Sequence, residues 1–219
     1  MGKNRFIVMI LIILFLSIFL FKSQLNIKNN YTSIIVNSNK EKIVFAGDSI
    51  TDYYDLNKYF KYDNKIIINS GISGYQTSNI LKRYNNVIKQ YNADKIFLMI
   101  GTNDLGAGLD REDIINNIKK ILSDCKRDNK NVKLYYETIY PVNRSLRKSN
   151  DKRYNSDIIY INSEMKKYCN ANGIKYLDIY SILEDEKGSL KNEFTSDGLH
   201  LNDEGYKVIS SFLRQYVEE

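Results

Sequence analysis

Three polar side chains of this sequence are of the types that acyl transfer requires. Ser49 follows a short apolar run, and Asp197 and His200 stand close together near the C-terminus. A serine hydroxyl becomes an effective nucleophile only when a neighbouring base takes its proton. His200 is the single histidine of the 219 residues, so it is the only imidazole that could be that base. The chemistry that these residue types indicate is attack of a serine on a carbonyl carbon.

The segment Asp197-Gly198-Leu199-His200 could orient the imidazole within one tight turn, which Gly198 makes easy. A carboxylate that accepts a hydrogen bond from Nδ1–H fixes the tautomer and stabilises the imidazolium that forms during catalysis. Alone, such a pair is more often a loop hydrogen bond, and a serine after a strand is usually a helix cap. The interpretation therefore depends on whether the fold brings these residues together.

The elements that must position them are indicated by apolar runs that alternate with helix-period stripes from residue 42 onward. The predicted strands are Lys42–Ala46, Lys65–Asn69, Lys95–Ile100, Val132–Tyr136 and Ile174–Ile179. Apolar residues recur at helical spacing over 80–91, 114–125, 158–169 and 208–216. Continuously apolar strands that alternate with helices predict a parallel sheet covered on both faces. We therefore predict an α/β fold: a three-layer, doubly wound, five-stranded parallel sheet of the flavodoxin-like type.

In such a sheet, ligands bind at the carboxyl ends of the strands. Ser49 follows the first predicted strand, residues 70–74 (SGISG) follow the second, and Asn103 follows the third. Asp197 and His200 come after the fifth strand, further along the chain. The sequence thus predicts that a hydroxyl, glycine N–H groups, an amide, a carboxylate and an imidazole meet at one edge.

In their order, these segments resemble the SGNH (GDSL-type) hydrolases. The matching blocks are Gly47-Asp48-Ser49-Ile50, Asn69-Ser70-Gly71-Ile72-Ser73-Gly74, Gly101-Thr102-Asn103-Asp104 and Asp197-Gly198-Leu199-His200, with Ile50 where the family name has Leu. The resemblance implies Ser49 as nucleophile, His200 as general base and Asp197 as the residue that orients it. It also implies an oxyanion hole formed by the backbone N–H groups of Ser49 and Gly74 and the side-chain amide of Asn103. Ester hydrolysis of this kind uses neither a metal nor a cofactor.

An apolar run, FIVMILIILFLSIFLF (residues 6–21), lies between Lys3, Arg5 and Lys22. Its length lies between that of a secretory signal and that of a spanning helix, and we predict an uncleaved anchor helix over 1–22. A cleaved signal would instead give a secreted protein. In both cases the positive flank predicts that the rest lies outside the cytoplasm. A polar linker over 23–41, with a short strand at Ile34–Val36, and a hydrolase-like domain over 42–219 complete the predicted organisation.

The net charge of +6 is modest, and no basic stripe interleaved with aromatic residues is present, so we expect no nucleic-acid partner. Cys125 and Cys169 lie on the apolar faces of predicted helices, which favours two buried thiols over a disulfide.

The segment 140–153 (YPVNRSLRKSNDKR) follows a predicted strand and is basic. Arg144 and Arg147 are therefore candidates for binding an anionic substrate, although a solvated loop has the same composition.

The most economical hypothesis is a serine esterase that removes short acyl groups, such as acetyl, from carbohydrate of the cell envelope. Lysophospholipase, thioesterase and acyltransferase activities would use the same residues. A magnesium phosphatase built on Asp48, Asp52 and Asp104 is a different enzyme class, and a non-catalytic glycan-binding protein is another. An α/β-hydrolase elbow is disfavoured because Gly47-Asp48-Ser49-Ile50-Thr51 lacks the second glycine of that motif.

Overall fold

A five-stranded parallel sheet is the centre of the fold in the computed structural model, which describes Lys22 and residues 40–219. The strands are β1 (Glu41–Gly47), β2 (Lys65–Gly71), β3 (Lys95–Met99), β4 (Lys133–Glu137) and β5 (Lys175–Leu177). They are ordered β2-β1-β3-β4-β5, and every neighbouring pair is parallel. This is the flavodoxin-like order, so the predicted doubly wound fold is confirmed.

Helices connect the strands and cover the sheet. They are α1 (Ser49–Asp52), α2 (Leu56–Tyr59), α3 (Thr77–Lys82), α4 (Tyr84–Val87), α5 (Thr102–Ala107), α6 (Arg111–Asp128), α7 (Asn155–Asn172), α8 (Tyr180–Leu183) and α9 (Asp203–Glu218). Short 3₁₀ turns lie at Lys89–Tyr91, Arg144–Leu146 and Asn192–Phe194. Helix α6 packs against both α3 and α7. Helix α9 lies beside α1, where the Tyr206 hydroxyl donates to the carbonyl of Ile50 at 2.7 Å.

An aromatic row holds the central strands in register. Phe45, Phe97 and Tyr135 are paired neighbours on β1, β3 and β4, and their stacked rings lie 4.5 and 4.4 Å apart. All three are almost fully buried. Stacked aromatic pairs of this kind add to the hydrophobic stabilisation that their buried area provides. The row fixes the register of β1 against β3, and so it fixes where the chain leaves the sheet before Ser49.

The predicted helical stripe over 80–91 is divided into two short helices and a 3₁₀ turn. Arg83 and Ile88 leave helical geometry, with φ/ψ of −112°/22° and −127°/−60°. Between these two breaks, Tyr84-Asn85-Asn86-Val87 forms only one short helix, and its residues have low helix propensity, so local preference does not favour one continuous helix. Its apolar residues still face the core, since Tyr84 and Val87 are buried.

The predictions for residues 1–21 and 23–39, including the anchor helix and the strand at Ile34–Val36, lie outside the described residues. Within the part of the chain that is described, no helix is both long enough and apolar enough to cross a bilayer. Cys125 and Cys169 are both buried and both free, as the buried-thiol interpretation predicted.

Candidate active site

Ser49 is placed at the sheet edge by the way β1 ends. Gly47 closes the strand at a point where a Cβ atom would lie 2.3 Å from the carbonyl oxygen of Met99 on β3. Asp48 then caps α1, because its Oδ1 accepts from the N–H of Ile50 at 3.0 Å. Ser49 is thereby the first residue of the helix, and only 6% of its surface is exposed.

The hydroxyl of Ser49, the imidazole of His200 and the carboxylate of Asp197 form a continuous hydrogen-bonded chain. Ser49 Oγ lies 3.0 Å from His200 Nε2, although the two residues are 151 positions apart. On the other side of the ring, Nδ1 lies 2.7 Å from Asp197 Oδ2. With a proton on Nδ1, the free lone pair of Nε2 points at the serine hydroxyl, as a general base requires.

Asp197 is held by its own turn. Its Oδ1 accepts hydrogen bonds from the backbone N–H groups of His200 and Leu199 at 2.8 and 2.9 Å. Partial burial opposes ionisation of this carboxyl, but these bonds and the imidazole outweigh it and lower the pKa of Asp197 to about 2. The residue is therefore a carboxylate at neutral pH. In its contact with His200, Oδ2 is the acceptor and Nδ1–H is the donor.

The donors predicted for the oxyanion hole can be compared by the hydrogen bonds that their N–H groups already make. Among residues 40–219, neither the backbone N–H of Ser49 nor that of Gly74 has an acceptor. Gly71, the other glycine of the second block, differs because its N–H donates to Asn69 Oδ1 at 2.9 Å. Gly74 has φ +79°, a conformation that favours glycine, and nothing lies within 4 Å of the position of a Cβ.

Asn103 is the third predicted donor, and hydrogen bonds fix both the nitrogen and the oxygen of its amide. One N–H of Nδ2 donates to the carbonyl of Tyr75 at 3.0 Å, which leaves the second N–H free of that bond. Its Oδ1 accepts from Arg153 Nη2 at 3.2 Å. The guanidinium identifies the oxygen of the amide, so the nitrogen is the atom on the side of Tyr75.

Arg144 and Arg147, predicted to bind substrate, make contacts within the protein. Arg144 donates to the carbonyls of Asp151 and Arg153 at 2.7 and 2.8 Å, and its guanidinium stacks on Tyr154 at 4.1 Å. Arg147 donates through Nε to Asp151 Oδ2 at 2.8 Å. These bonds order the loop at the sheet edge, and a role in substrate binding stays a prediction.

Sequence reasoning missed three residues that border this site. Tyr53 is 57% exposed, and its ring centroid lies 5.2 Å from that of His200. Its spacing of four residues from Ser49 on a short helix was the available signal, because such positions share one face. Asp151 and Arg153 lie in the basic loop, where nothing local distinguishes them from solvated charges.

Each of the three aspartates of the magnesium alternative accepts a hydrogen bond from a neighbouring residue of the protein. Asp104 accepts from the N–H and the hydroxyl of Thr77, and Asp52 accepts from Ser73. Burial raises the pKa of Asp48 to about 7, with Asp104 adding to the shift, and its Oδ2 is without a partner among the described residues. In that part of the chain, no three His, Cys, Asp or Glu side chains gather as a metal site.

Comparison with known proteins supplies the family. The model of the GDSL-like lipase/acylhydrolase family matches residues 45–208. An N-acylneuraminate cytidylyltransferase of Streptococcus agalactiae is 31% identical over 193 residues, which is 88% of this chain and 42% of that protein. A multidomain esterase of Ruminococcus flavefaciens is 30% identical over 177 residues, 72% of this chain and 21% of that one. The chain thus spans about two fifths or less of the length of these relatives.

Solved structures show the same architecture. A protein from Streptococcus pneumonia, named for platelet activating factor, superposes with a TM-score of 0.74 at 32% identity, covering 94% of this chain and 97% of its own. A GDSL-like lipase from Bacteroides thetaiotaomicron gives a TM-score of 0.71 at 22% identity, covering 81% and 88%. The first likeness extends to sequence, whereas the second concerns the fold alone.

Proposed function

The chain belongs to the GDSL-like lipase/acylhydrolase family and is a carboxylic ester hydrolase, and from that premise we propose that it removes short acyl groups from carbohydrate hydroxyls by a serine mechanism. The single observation that carries the mechanism is the chain of hydrogen bonds from Ser49 Oγ through His200 to Asp197, at 3.0 and 2.7 Å. An ordinary helix cap would not place a serine against an imidazole that a carboxylate orients.

In the first half-reaction, Ser49 Oγ attacks the ester carbonyl as His200 Nε2 takes the hydroxyl proton. Asp197 stabilises the imidazolium without itself becoming protonated. The tetrahedral intermediate then collapses, its C–O bond to the alcohol breaks, and His200 gives its proton to the departing alkoxide. In the second half-reaction, His200 deprotonates a water that attacks the acyl carbonyl. The bond from the acyl carbon to Ser49 Oγ then breaks, and His200 returns its proton to Oγ as the acid leaves.

Negative charge on the former carbonyl oxygen develops only in the intermediate and its flanking transition states. We assign its stabilisation to the N–H groups of Ser49 and Gly74 and the second N–H of the Asn103 amide. The two backbone N–H groups have no acceptor among the described residues, and only one N–H of the Asn103 amide is used by Tyr75. Fixed donors of this kind are worth about 10²–10³ in kcat each.

Two observations support a sugar as the alcohol. Tyr53 offers an exposed aromatic ring against His200, and aromatic rings combine an apolar face with a polar edge, which suits a pyranose. In addition, curated relatives are N-acylneuraminate cytidylyltransferases, so related chains are part of proteins named for an acidic sugar. A small acyl group such as acetyl is the simplest substituent that fits the esterase chemistry.

A phospholipid ester is the second candidate, because the neighbour from Streptococcus pneumonia is named for platelet activating factor, which is a phospholipid. The purified protein should be given p-nitrophenyl esters from acetyl to octanoyl, O-acetylated sialic acid and lysophosphatidylcholine. We expect the highest kcat/KM for acetyl, release of acetate from the sugar, and loss of all activity in Ser49→Ala. Hydrolysis of the lysolipid without release of acetate from the sugar would favour the second candidate, and unchanged hydrolysis by Ser49→Ala would refute the serine mechanism.

We propose in addition that the apolar run at residues 6–21 anchors the hydrolase outside the cytoplasm, where envelope carbohydrate is accessible. The arrangement of Lys3 and Arg5 before that run supports this orientation. Protease added to intact cells should degrade the domain if the proposal is correct. Protection of the domain until the cells are lysed would contradict it.

A further inference from the structure

We propose that Asp151 is a positioning residue that joins the amide of Asn103 to the carboxylate of Asp197 through two arginines. The inference rests on the proposed function, because it assigns Asp151 to the support of the oxyanion hole and the triad. Both arginines donate to the same oxygen of Asp151, Oδ2. Arg153 extends toward the third strand's loop, and Arg147 extends toward the turn that contains His200.

The arm toward the oxyanion hole is Arg153. Its guanidinium donates to three acceptors at once: Asn103 Oδ1 at 3.2 Å, the carbonyl of Thr102 at 2.9 Å and Asp151 Oδ2 at 3.0 Å. It lies flat on Gly106, where a Cβ would be 2.4 Å from Nη2. The planar guanidinium reaches these three acceptors from three different nitrogens, whereas the donors of a lysine ammonium all radiate from one atom and cannot reproduce that spacing.

The arm toward the triad is Arg147. Its Nε donates to Asp151 Oδ2 at 2.8 Å and its Nη1 to the carbonyl of Asp197 at 3.1 Å. The same Nη1 lies 3.8 Å from Asp197 Oδ2, the oxygen that His200 uses. A short movement of the guanidinium would therefore turn a bond to the Asp197 backbone into an ion pair with its side chain.

Asp151 holds both arms in place. Its side chain is 5% exposed, Oδ2 accepts from both guanidinium groups, and Oδ1 accepts from the N–H of Arg153 at 2.8 Å. Removing one member of a buried charged group leaves the others uncompensated. Without the carboxylate, Arg147 has Asp197 as the nearest anion, and the ion pair that follows would withdraw Asp197 from His200.

Competition between Arg147 and His200 for the Asp197 carboxylate predicts a result that a purely structural role of Asp151 does not predict. Asp151→Asn should lower kcat about 10–100-fold with KM nearly unchanged, the loss expected for a small misplacement of catalytic groups. In the Asp151→Asn background, Arg147→Met removes the competing cation. We therefore expect the double variant to be several-fold more active than Asp151→Asn alone, although Arg147→Met in the wild-type background should lower activity.

Each variant should be assayed on p-nitrophenyl acetate well below its measured melting temperature. Asp157→Asn is the control, because Asp157 pairs with Arg111 at 3.3 Å and not with Arg147 or Arg153, and it should retain full activity. Loss of activity in Ser49→Ala establishes the serine mechanism separately from the role of Asp151. A double variant no more active than Asp151→Asn, or an Asp151→Asn enzyme with wild-type kcat, would overturn the proposal.

If Asp151→Asn does not fold, Arg153→Lys tests the contact between Arg153 and Asn103 instead. We expect kcat to fall at least about tenfold, with KM unchanged. The inhibition constant of a boronic acid, which forms a tetrahedral adduct with the serine, should rise by a similar factor. An Arg153→Lys enzyme with wild-type kcat and boronate affinity would show that the guanidinium does not position Asn103.

Discussion

Asp197→Asn separates the electrostatic role of the carboxylate from the shape of the turn. In the wild type, Oδ1 accepts from the backbone N–H groups of Leu199 and His200, and Oδ2 accepts from the imidazole. An asparagine can keep both backbone bonds only if its oxygen occupies the Oδ1 position. Its NH₂ group then faces Nδ1 of His200, so the ring must place its proton on Nε2 and present a donor to Ser49.

The size of this effect follows from the contacts. Flipping the amide would restore the useful tautomer but would lose two backbone hydrogen bonds, about 1 kcal/mol each. If the amide prefers the wrong orientation by about 2 kcal/mol, only roughly one molecule in 30 holds the useful tautomer, and kcat falls by that factor. Loss of the charge that stabilises the imidazolium adds to it, and the same exchange in serine proteases lowers kcat by about 10⁴. We therefore expect kcat of Asp197→Asn to fall by between ~30-fold and ~10⁴.

Steady-state hydrolysis of p-nitrophenyl acetate measures the loss, and thermal unfolding shows whether the turn survives. Asp185→Asn is a matched control, because Asp185 Oδ1 accepts from the N–H groups of Lys187 and Ser189 in a similar turn without an imidazole. Both variants should unfold near the wild-type temperature, and only Asp197→Asn should lose activity. A folded Asp197→Asn enzyme with more than a tenth of wild-type kcat would refute the reasoning.

The other predictions concern the oxyanion hole, a buried acid and the rim of the site. Asn103→Ala should lower kcat about 10²–10³ with KM little changed in steady-state assays, since the amide acts in the transition state; a change in KM alone would argue against that. Burial raises the pKa of Asp48 to about 7, so the folded state binds this proton more tightly than the unfolded state does. The resulting contribution to the free energy of unfolding is complete below about pH 4 and is lost as pH rises through about 7. Urea unfolding of Asp48→Asn should therefore show a smaller loss of stability between pH 4 and 8 than the wild type, by up to ~4 kcal/mol, and parallel curves would contradict the assignment. Tyr53→Ala should raise KM for an acetylated sugar several-fold more than for methyl acetate, and equal changes would exclude stacking on the sugar.

The architecture was predictable because it depends on signals that are local or periodic. Continuously apolar strands between helical stripes specify a doubly wound sheet, and parallel strands bring their carboxyl ends to one edge. Ser49, Asn103 and residues 70–74 could therefore be assigned to that edge before their contacts were known. The division of the 80–91 stripe was not predicted, because apolar spacing was given more weight than the low helix propensity of its asparagines.

The contacts of Asp151, Arg147 and Arg153 that hold the site residues could not be predicted, because they depend on where the loop over residues 140–153 crosses the sheet edge. Arg147 and Arg153 were part of a basic segment, and composition alone suggested a surface for an anionic substrate. In the fold, both guanidinium groups meet Asp151 and reach Asp197 and Asn103. Likewise, Gly71 and Gly74 both suit the motif, and the bond from Gly71 N–H to Asn69 Oδ1 is a contact that the sequence alone did not reveal.

The most direct test of the serine mechanism is to trap the acyl-enzyme and locate it. The protein should be mixed with p-nitrophenyl acetate, quenched in acid during the first turnover, and analysed by peptide mass spectrometry. We predict one acetyl group on the peptide that contains Ser49, and no acetylation of that peptide in His200→Ala over the same time. Acetylation of a different residue, or full hydrolytic activity in Ser49→Ala, would contradict the assignment of Ser49 as the nucleophile.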